Sequence, residues 1–222
     1  MKYSVKNIQE APKIGEGIFL MKDVANILDI SYYSVRYSLK TFWQGYTIGQ
    51  ERNKTINFYG LIEFYTYHHL RTQGFSPKQI EKAHSYLAKE LKTNYPFASV
   101  KLSTPKEDEK TRKIWYEYAG FLMKLDGKKQ PVIKPFIEPF LSKIHFGANN
   151  IAEKYYPVSK ANSVVIDPKH QFGEATIEGT NITTEFIYKL YRGGEKKKNI
   201  CILYELTGKQ VGDAISYQKQ IA

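Results

Sequence analysis

The sequence predicts an α+β fold in three parts: a helical amino-terminal domain, a small central β-rich unit and a carboxy-terminal domain of three helices. Apolar residues recur at helical spacing near both ends of the chain and alternate with polar residues in parts of the middle. The chain has 222 residues, enough for one large domain or two to three small ones, because domains span ~100–200 residues. Hydrophobic residues make up 42%, which is enough for a packed core. We place the domains at residues 1–95, 96–160 and 161–222.

A helix-turn-helix is predicted near the start of the chain. A short helix over Met21–Leu28 is followed by Asp29, which tolerates the left-handed backbone conformation that a sharp turn needs. Ser31 is a favoured N-cap for a second helix running to about Thr41, with Val35 on its inner face. A short helix, a tight turn and a helix with a buried valine form the helix-turn-helix pattern.

The following residues predict a wing beside this motif. Residues 46–49 and 55–58 are expected to be the strands of a hairpin, with Arg52 and Lys54 near its tip. A third helix is predicted over 59–72, and a fourth after Ser76, which offers an N-cap and a capping box. The first domain is therefore predicted to be a winged helix-turn-helix.

The outward face of the second helix is the candidate DNA-reading surface. Arginine can bind guanine or phosphate, and hydroxyl groups can bind phosphate oxygens. The alternative of a helix pair used only for packing, with an incidental basic face, stays open. The predicted DNA-binding residues are Tyr32, Tyr33, Ser34, Arg36, Tyr37 and Lys40, with Arg52 and Lys54 of the wing.

The charge of the chain favours an anionic partner. Lys and Arg number 33 against 22 Asp and Glu, a net charge of +11. Residues 1–92 and 93–162 each carry a net charge of +5, whereas residues 163–222 carry only +1. The basic surface therefore belongs to the first two thirds, although surplus lysine also serves solubility alone.

The middle of the chain has the alternation and turn residues of a small β-rich unit, without catalytic spacing of polar groups. The predicted elements are strands at 97–102, 113–118 and 120–125, a loop at 103–111, a turn at 126–127, a helix from 135 to about 143, and a hairpin of 144–146 with 151–156.

The last sixty residues predict a strand, a long loop and three helices. The strand covers 163–168 and the loop 170–182. The first helix runs from a Thr183 cap to Arg192, and the second from about 196 to 205. Thr207 opens the third helix with a capping box.

The sequence gives no support for an enzyme, a cofactor or a metal site. Cys201 is the only cysteine and lies in an apolar helix, where a buried, unreactive thiol is expected. His68 and His69 are adjacent, so they face different ways on a helix, whereas metal ligands on one helix favour i, i+4 spacing. With no secretory signal and no apolar run long enough to span a bilayer, we expect a cytoplasmic protein without a membrane partner.

Several motifs of the last domain resemble the bacterial domain of unknown function 433 (DUF433). These are VVIDP, FG and IEGT within residues 164–180, followed by LYELTGKQVGDAISY at 203–217. FYGLIEF, YPFASVKL and KYYPVS, earlier in the chain, are similar to longer antitoxins of this group. Two positions depart from the family pattern: Asn181 stands where the family usually has arginine, and Lys196–Lys198 replace a commonly acidic or mixed segment.

The resemblance implies a fold and a function. It implies a homeodomain-like three-helix unit at the carboxy end and a VapB-type antitoxin with a MerR-like winged helix-turn-helix. Such an antitoxin would bind operator DNA as a homodimer and neutralise a PIN-like ribonuclease toxin. The alternative is a protein-interaction module that binds a toxin or another partner without specific DNA binding.

Overall fold

A computed structural model of the protein describes residues 15–41, 44–49, 54–99, 142–149 and 151–221. Within these residues the fold is mixed α+β, with seven α-helices and two small antiparallel sheets, so the predicted class is confirmed. The elements are β1 (Phe19–Leu20), α1 (Met21–Leu28), α2 (Tyr32–Thr41), β2 (Thr55–Ile56), α3 (Phe58–Thr72), α4 (Pro77–Leu91), β3 (Ile144–Phe146), β4 (Ala152–Tyr155), β5 (Val164–Ile166), β6 (Ala175–Ile177), α5 (Thr184–Arg192), α6 (Lys197–Leu203) and α7 (Gly208–Ile221).

The described residues form two compact units. One contains the residues up to Phe58 together with those from Lys154 onward, and the other runs from Tyr59 to Glu153. The second boundary therefore falls inside strand β4. The division at residues 95 and 160 stays a prediction.

Short antiparallel pairings organise the strands. β1 pairs with β2, with Phe19 opposite Ile56. The larger sheet has the order β3-β4-β5-β6, and in its best-defined ladder Val164 lies opposite Ile177. Strand β6 falls within the segment predicted as a loop, and that part of the prediction is wrong: three residues are too few to display a period in the sequence.

The core of the first unit includes a cluster formed by the three carboxy-terminal helices and β6. All of its members are apolar and buried, and those on α7 have the predicted helical spacing. Cys201 is only partly buried beside this cluster, whereas the sequence predicted a buried thiol. The buried residues are Ile177, Ile187, Ile200, Leu206, Val211, Ala214 and Ile215.

The second unit contains α3 and α4; α3 begins and ends close to the predicted positions, and α4 begins after Ser76 as predicted. The predicted capping box is confirmed, because Ser76 Oγ accepts from Gln79 N at 3.3 Å and Gln79 Oε1 accepts from Ser76 N at 2.7 Å. No helix of the described ranges is both long and apolar enough to cross a membrane.

The strand predicted at 97–102 is wrong over its described residues, 97–99, and a buried carboxylate explains why. Glu63 Oε1 accepts hydrogen bonds from the backbone N–H of Phe97 at 2.7 Å and of Ala98 at 3.0 Å. Two neighbouring N–H groups that converge on one oxygen fold the chain into a turn, whereas in a strand they would point to opposite sides. Burial raises the pKa of Glu63, while His84 and these N–H groups lower it in part. The predictions between 100 and 141 lie outside the described residues.

The hairpin proposed as a wing is only partly formed. Ile48 and Thr55 exchange two backbone hydrogen bonds, of 2.8 and 2.9 Å. The strand predicted over 46–49 is otherwise wrong, because residues 44–46 form a 3₁₀ turn. The second strand is also shorter than predicted, because Phe58 already begins α3.

Candidate nucleic-acid interface

The turn between α1 and α2 is set by local hydrogen bonds. Asp29 has the predicted left-handed conformation, with φ at 53°, and the N–H of Ile30 donates to Ala25 O at 3.0 Å. This pairing ends α1 and points the chain back into the core. Ser31 then caps α2 by accepting from the N–H of Ser34 at 3.1 Å, as predicted.

Packing between the two helices determines which side of α2 faces outward. Val24 and Val35 are completely buried, and Leu39 is nearly so. Ala25, also buried, presents only a methyl group, which lets the two helices approach closely. The orientation of α2 therefore follows from its valine and leucine; Ser38 is buried beside them, and its remaining side chains are exposed.

All six residues predicted on the outer face of α2 are exposed. Tyr33 and Tyr37 lie one helical turn apart and are 78% and 66% exposed. Arg36 and Lys40 are also one turn apart, so cationic and aromatic side chains occupy neighbouring rows of one surface. Such interleaving suits phosphate binding by the cations and stacking or hydroxyl contacts by the tyrosines.

The segment that leads into α1 is anchored to the carboxy-terminal half of the same unit. The N–H of Ile18 donates to Phe172 O at 3.0 Å. The Phe19 ring lies so close to Gly173 that a Cβ there would come within 2.6 Å of it. Glycine is therefore required at position 173, where φ is also +90°. Sequence reasoning missed this contact, because β1 is only two residues long.

The structure brings Lys54 next to the Ile48–Thr55 pair, where its side chain is half-buried. Arg52, the other predicted wing residue, lies outside the described residues.

A polar cluster surrounds Asp167, in the segment that resembles DUF433. Asp167 is nearly buried and lies 4.0 Å from Lys154 Nζ and 3.9 Å from His170 Nε2. Lys154 also lies 3.7 Å from Glu178, whose Oε1 accepts from Tyr156 OH at 2.7 Å. Desolvation and this bond to Glu178 raise the pKa of Tyr156. The cluster ties β4, β5 and the turn after β6 together.

The two departures from the family pattern lie in different settings. Asn181 Oδ1 is 2.6 Å from His170 Nδ1, so the amide has a local partner. Lys196, Lys197 and Lys198 are all exposed at the start of α6, with Lys197 Nζ 5.8 Å from the Tyr191 ring centroid.

The described residues contain no cluster of three or more His, Cys, Asp or Glu arranged to hold a metal ion.

Helices α6 and α7 form a second corner with the same turn geometry, which the sequence analysis did not recognise. Glu205 is left-handed, with φ at 54°, and the N–H of Leu206 donates to Cys201 O at 3.0 Å. Thr207 caps α7 by accepting from Gln210 N at 3.2 Å. Both corners share one order of residue types: an acidic residue, then an apolar residue, then a hydroxyl-bearing N-cap. This order was a signal that the sequence contained.

Comparisons with known proteins connect the carboxy-terminal segment to a family model and most of the chain to a known fold. The family model described as a protein of unknown function, DUF433, matches residues 164–218. The uncharacterized protein Rv2308 of Mycobacterium tuberculosis (strain ATCC 25618 / H37Rv) is 35% identical over 65 residues, which are 29% of this chain. The matched segment spans only 27% of that curated relative's length.

A solved structure shares the fold. The X-ray crystal structure of Rv2018 from Mycobacterium tuberculosis superposes with a TM-score of 0.69 and covers 89% of this chain and 96% of that one. At 19% sequence identity, this likeness concerns the fold alone. Residues 164–218 thus carry the match to DUF433, and the architecture of most of the chain occurs in a second protein.

Proposed function

We propose that this protein is the antitoxin of a type II toxin–antitoxin pair, which binds operator DNA and neutralises a PIN-like ribonuclease toxin. In this proposal α1 and α2 are the helix-turn-helix of a winged domain, and α2 is the recognition helix. The observation that carries the DNA-binding part is the outer face of α2, where Arg36 and Lys40 stand beside exposed Tyr33 and Tyr37.

The charge distribution supports this assignment. Residues 1–92 carry a net charge of +5, and an exposed basic helix attracts the phosphate backbone whatever the base sequence. Two such helices in a symmetric homodimer would meet two half-sites of a palindromic operator. The nearly neutral last domain, with α5–α7 in a homeodomain-like arrangement, would hold the toxin.

The DNA-binding part is tested with the double variant Arg36→Ala/Arg52→Ala. Gel-shift titrations use DNA from upstream of the protein's own coding region over a range of salt concentrations. The variant is expected to bind at least about tenfold more weakly, because each lost arginine contact costs about 1–3 kcal/mol if it reads a base. If both contacts go to phosphate, the slope of log affinity against log salt falls by about 2.

A matched control separates a specific surface from general charge. Arg192→Ala removes an exposed arginine of the same unit, at the end of α5 rather than on α2. Its titration should coincide with that of the unaltered protein. An unchanged affinity and slope in the double variant would contradict the assignment of α2 as the recognition helix.

The second candidate function, a protein-interaction module without specific DNA binding, is favoured by a different observation. Ile202 and Leu203 at the end of α6 are two large apolar side chains that are 67% and 68% exposed. Co-expression with the product of the adjacent reading frame, with growth as the readout, tests toxin neutralisation. Footprinting on the promoter tests DNA binding, and rescue of growth without a footprint would favour this second function.

A further inference from the structure

Helix α6 and the turn that follows it carry an exposed stripe with an apolar centre and opposite charges at its two ends. We define this bipolar stripe as Lys198, Ile202, Leu203 and Glu205. All four residues are exposed, whereas Ile200 on the opposite side of α6 is completely buried. Lys198 and Ile202 are four residues apart on one side of α6. Glu205 is exposed in the turn just beyond the last residue of the helix.

The stripe has no partner within the described part of the chain. Large exposed apolar side chains that adjoin one another are typical of an interaction surface, while single ones are ordinary. Phe186 extends the apolar area, because its 40% exposed ring packs edge-on against Tyr204 at 5.2 Å. Among the ion pairs of the described residues, none involves Lys198 or Glu205.

The order of the charges selects the partner. Lys198 lies in the first turn of α6 and Glu205 just past its last residue, with Ile202 between them; Lys196 and Lys197 are also exposed at the basic end. A two-fold rotation reverses the direction of α6, so that each Lys198 would face the Glu205 of a second copy. A wholly acidic partner would be repelled at the Glu205 end, and a wholly basic one at the Lys198 end. The stripe is therefore complementary to itself, as an isologous interface requires.

We propose that the bipolar stripe is the centre of a two-fold interface between two copies of this chain, with their α6 helices antiparallel and Ile202 close to the axis. This inference deepens the proposed function by assigning the surface of its homodimer, and it rests on the proposed function only for the role of the dimer. Phe186 and Tyr204 lie beside the stripe and would extend the contact.

Sedimentation equilibrium of the full chain over a wide concentration range tests the interface. We expect a monomer–dimer equilibrium whose dissociation constant rises at least about tenfold in Ile202→Asp, since a central apolar contact becomes a buried charge. Phe172→Asp is the matched control, because Phe172 is also 67% exposed in the same unit but lies outside the stripe. Its dissociation constant should not change.

Charge reversal gives a second readout that does not depend on Ile202. Lys198→Glu and Glu205→Lys should each weaken the dimer several-fold, and the double variant should restore it to within about twofold, because the two charges then exchange places. Lysine is tolerated at the left-handed position of Glu205, as Lys92 has the same conformation at φ 52°.

Three results would overturn the assignment: a wild-type chain that stays monomeric throughout, a dimer that Ile202→Asp and Lys198→Glu leave intact, or a double variant no better than its parents. If Ile202→Asp does not fold, the charge-reversal series alone decides. DNA titrations of the same variants distinguish this failure from failure of the proposed function, since a monomer with α2 intact would still bind a half-site.

Discussion

The two helical corners of the first unit, α1–α2 and α6–α7, share a backbone design and differ in what surrounds their second helix. In both, a left-handed acidic residue ends the first helix, an apolar residue turns inward and a hydroxyl side chain caps the second helix. Val35 of α2 and Val211 of α7, each four residues after its cap, are both completely buried. The backbone of the turn is therefore no guide to which corner contacts a partner.

The outer side of α7 is occupied by the protein's own chain. Asp213 accepts from the N–H of Ser163 at 2.8 Å and from Lys209 Nζ at 2.6 Å, and Lys209 also donates to Ala161 O at 2.8 Å. Tyr33 and Tyr37 hold the corresponding positions on α2, and both are largely exposed. The outer side chains, and not the corner itself, therefore make α2 the candidate interface and α7 a part of the core.

The comparison predicts that α7 matters more for stability than α2. Ile215→Ala should lower the free energy of unfolding by about 3–4 kcal/mol, since buried Leu or Ile to Ala changes cost about 2–5 kcal/mol and α7 packs against α5, α6, β5 and β6. Leu39→Ala should fall at the low end of that range, because α2 packs chiefly on α1 and the turn at 44–46. Urea denaturation measures both.

DNA titrations further distinguish these two variants, because only one of them alters the support of α2. Under native conditions Leu39→Ala should lose affinity, since its cavity underlies α2, while Ile215→Ala should retain it. A larger loss of stability in Leu39→Ala than in Ile215→Ala would contradict the picture of α2 as a lightly supported helix.

The contact of α7 with the Ala161–Ser163 segment gives a smaller, pH-dependent effect. Partial burial alone would raise the pKa of Asp213, but hydrogen bonds from Lys209 and Ser163 outweigh it and hold the pKa below its usual value. Asp213→Ala should cost about 1–2 kcal/mol at neutral pH, mainly because the N–H of Ser163 loses its acceptor. The exposed Lys209 contributes little to this figure.

The sign of the pH dependence follows from the lowered pKa. A carboxylate with a depressed folded-state pKa stabilises the fold above its unfolded pKa, about 3.9 for Asp, and this stability is lost as the pH falls through the folded-state pKa. The difference in stability between wild type and Asp213→Ala should therefore narrow below about pH 4 in urea titrations. A constant difference down to acidic pH would show that the charge of Asp213 plays no part, and Asp213→Asn, which keeps an acceptor, should lie between the two.

Much of the helical structure could be predicted because its signals are local. Three local features fix where helices begin and end, and each involves only a few neighbouring residues. They are the Ser76–Gln79 capping box, the Thr183 cap and the Asp29 turn. The exposure of the six α2 residues followed in the same way, from the burial of Val35 and Leu39. Their role towards DNA stays a prediction.

The remaining features depend on partners distant in sequence. Glu63 turns the chain at Phe97 and Ala98 by accepting hydrogen bonds from their two backbone N–H groups. The residues next to position 97 contain no signal for this turn. Phe19 packs on Gly173 through a two-residue strand that has no readable period. The exposure of Ile202 and Leu203 was equally unpredictable from the sequence, because apolar residues in a helix ordinarily indicate a core.

The smallest expected difference between the corners lies in their caps. Ser31→Ala and Thr207→Ala should each cost about 1 kcal/mol, the usual value for an N-cap. At α7 the cap is reciprocal, because Gln210 Oε1 also accepts from the N–H of Thr207 at 2.8 Å. At α2 the side chain of the equivalent residue, Ser34, contacts the hydroxyl of Ser31 and not its N–H.

Gln210→Ala should therefore lower the free energy of unfolding by about 0.5 kcal/mol more than Ser34→Ala, since it also leaves a backbone N–H without its side-chain acceptor. Urea denaturation of both variants, each paired with its cap substitution in a double-mutant cycle, measures the coupling at the two helix starts. A larger coupling at α7 would mean that the embedded corner is reinforced at its cap as well as by the chain that covers it. Equal couplings would mean that the two corners differ in one respect, namely that the Ala161–Ser163 segment covers the outer side of α7.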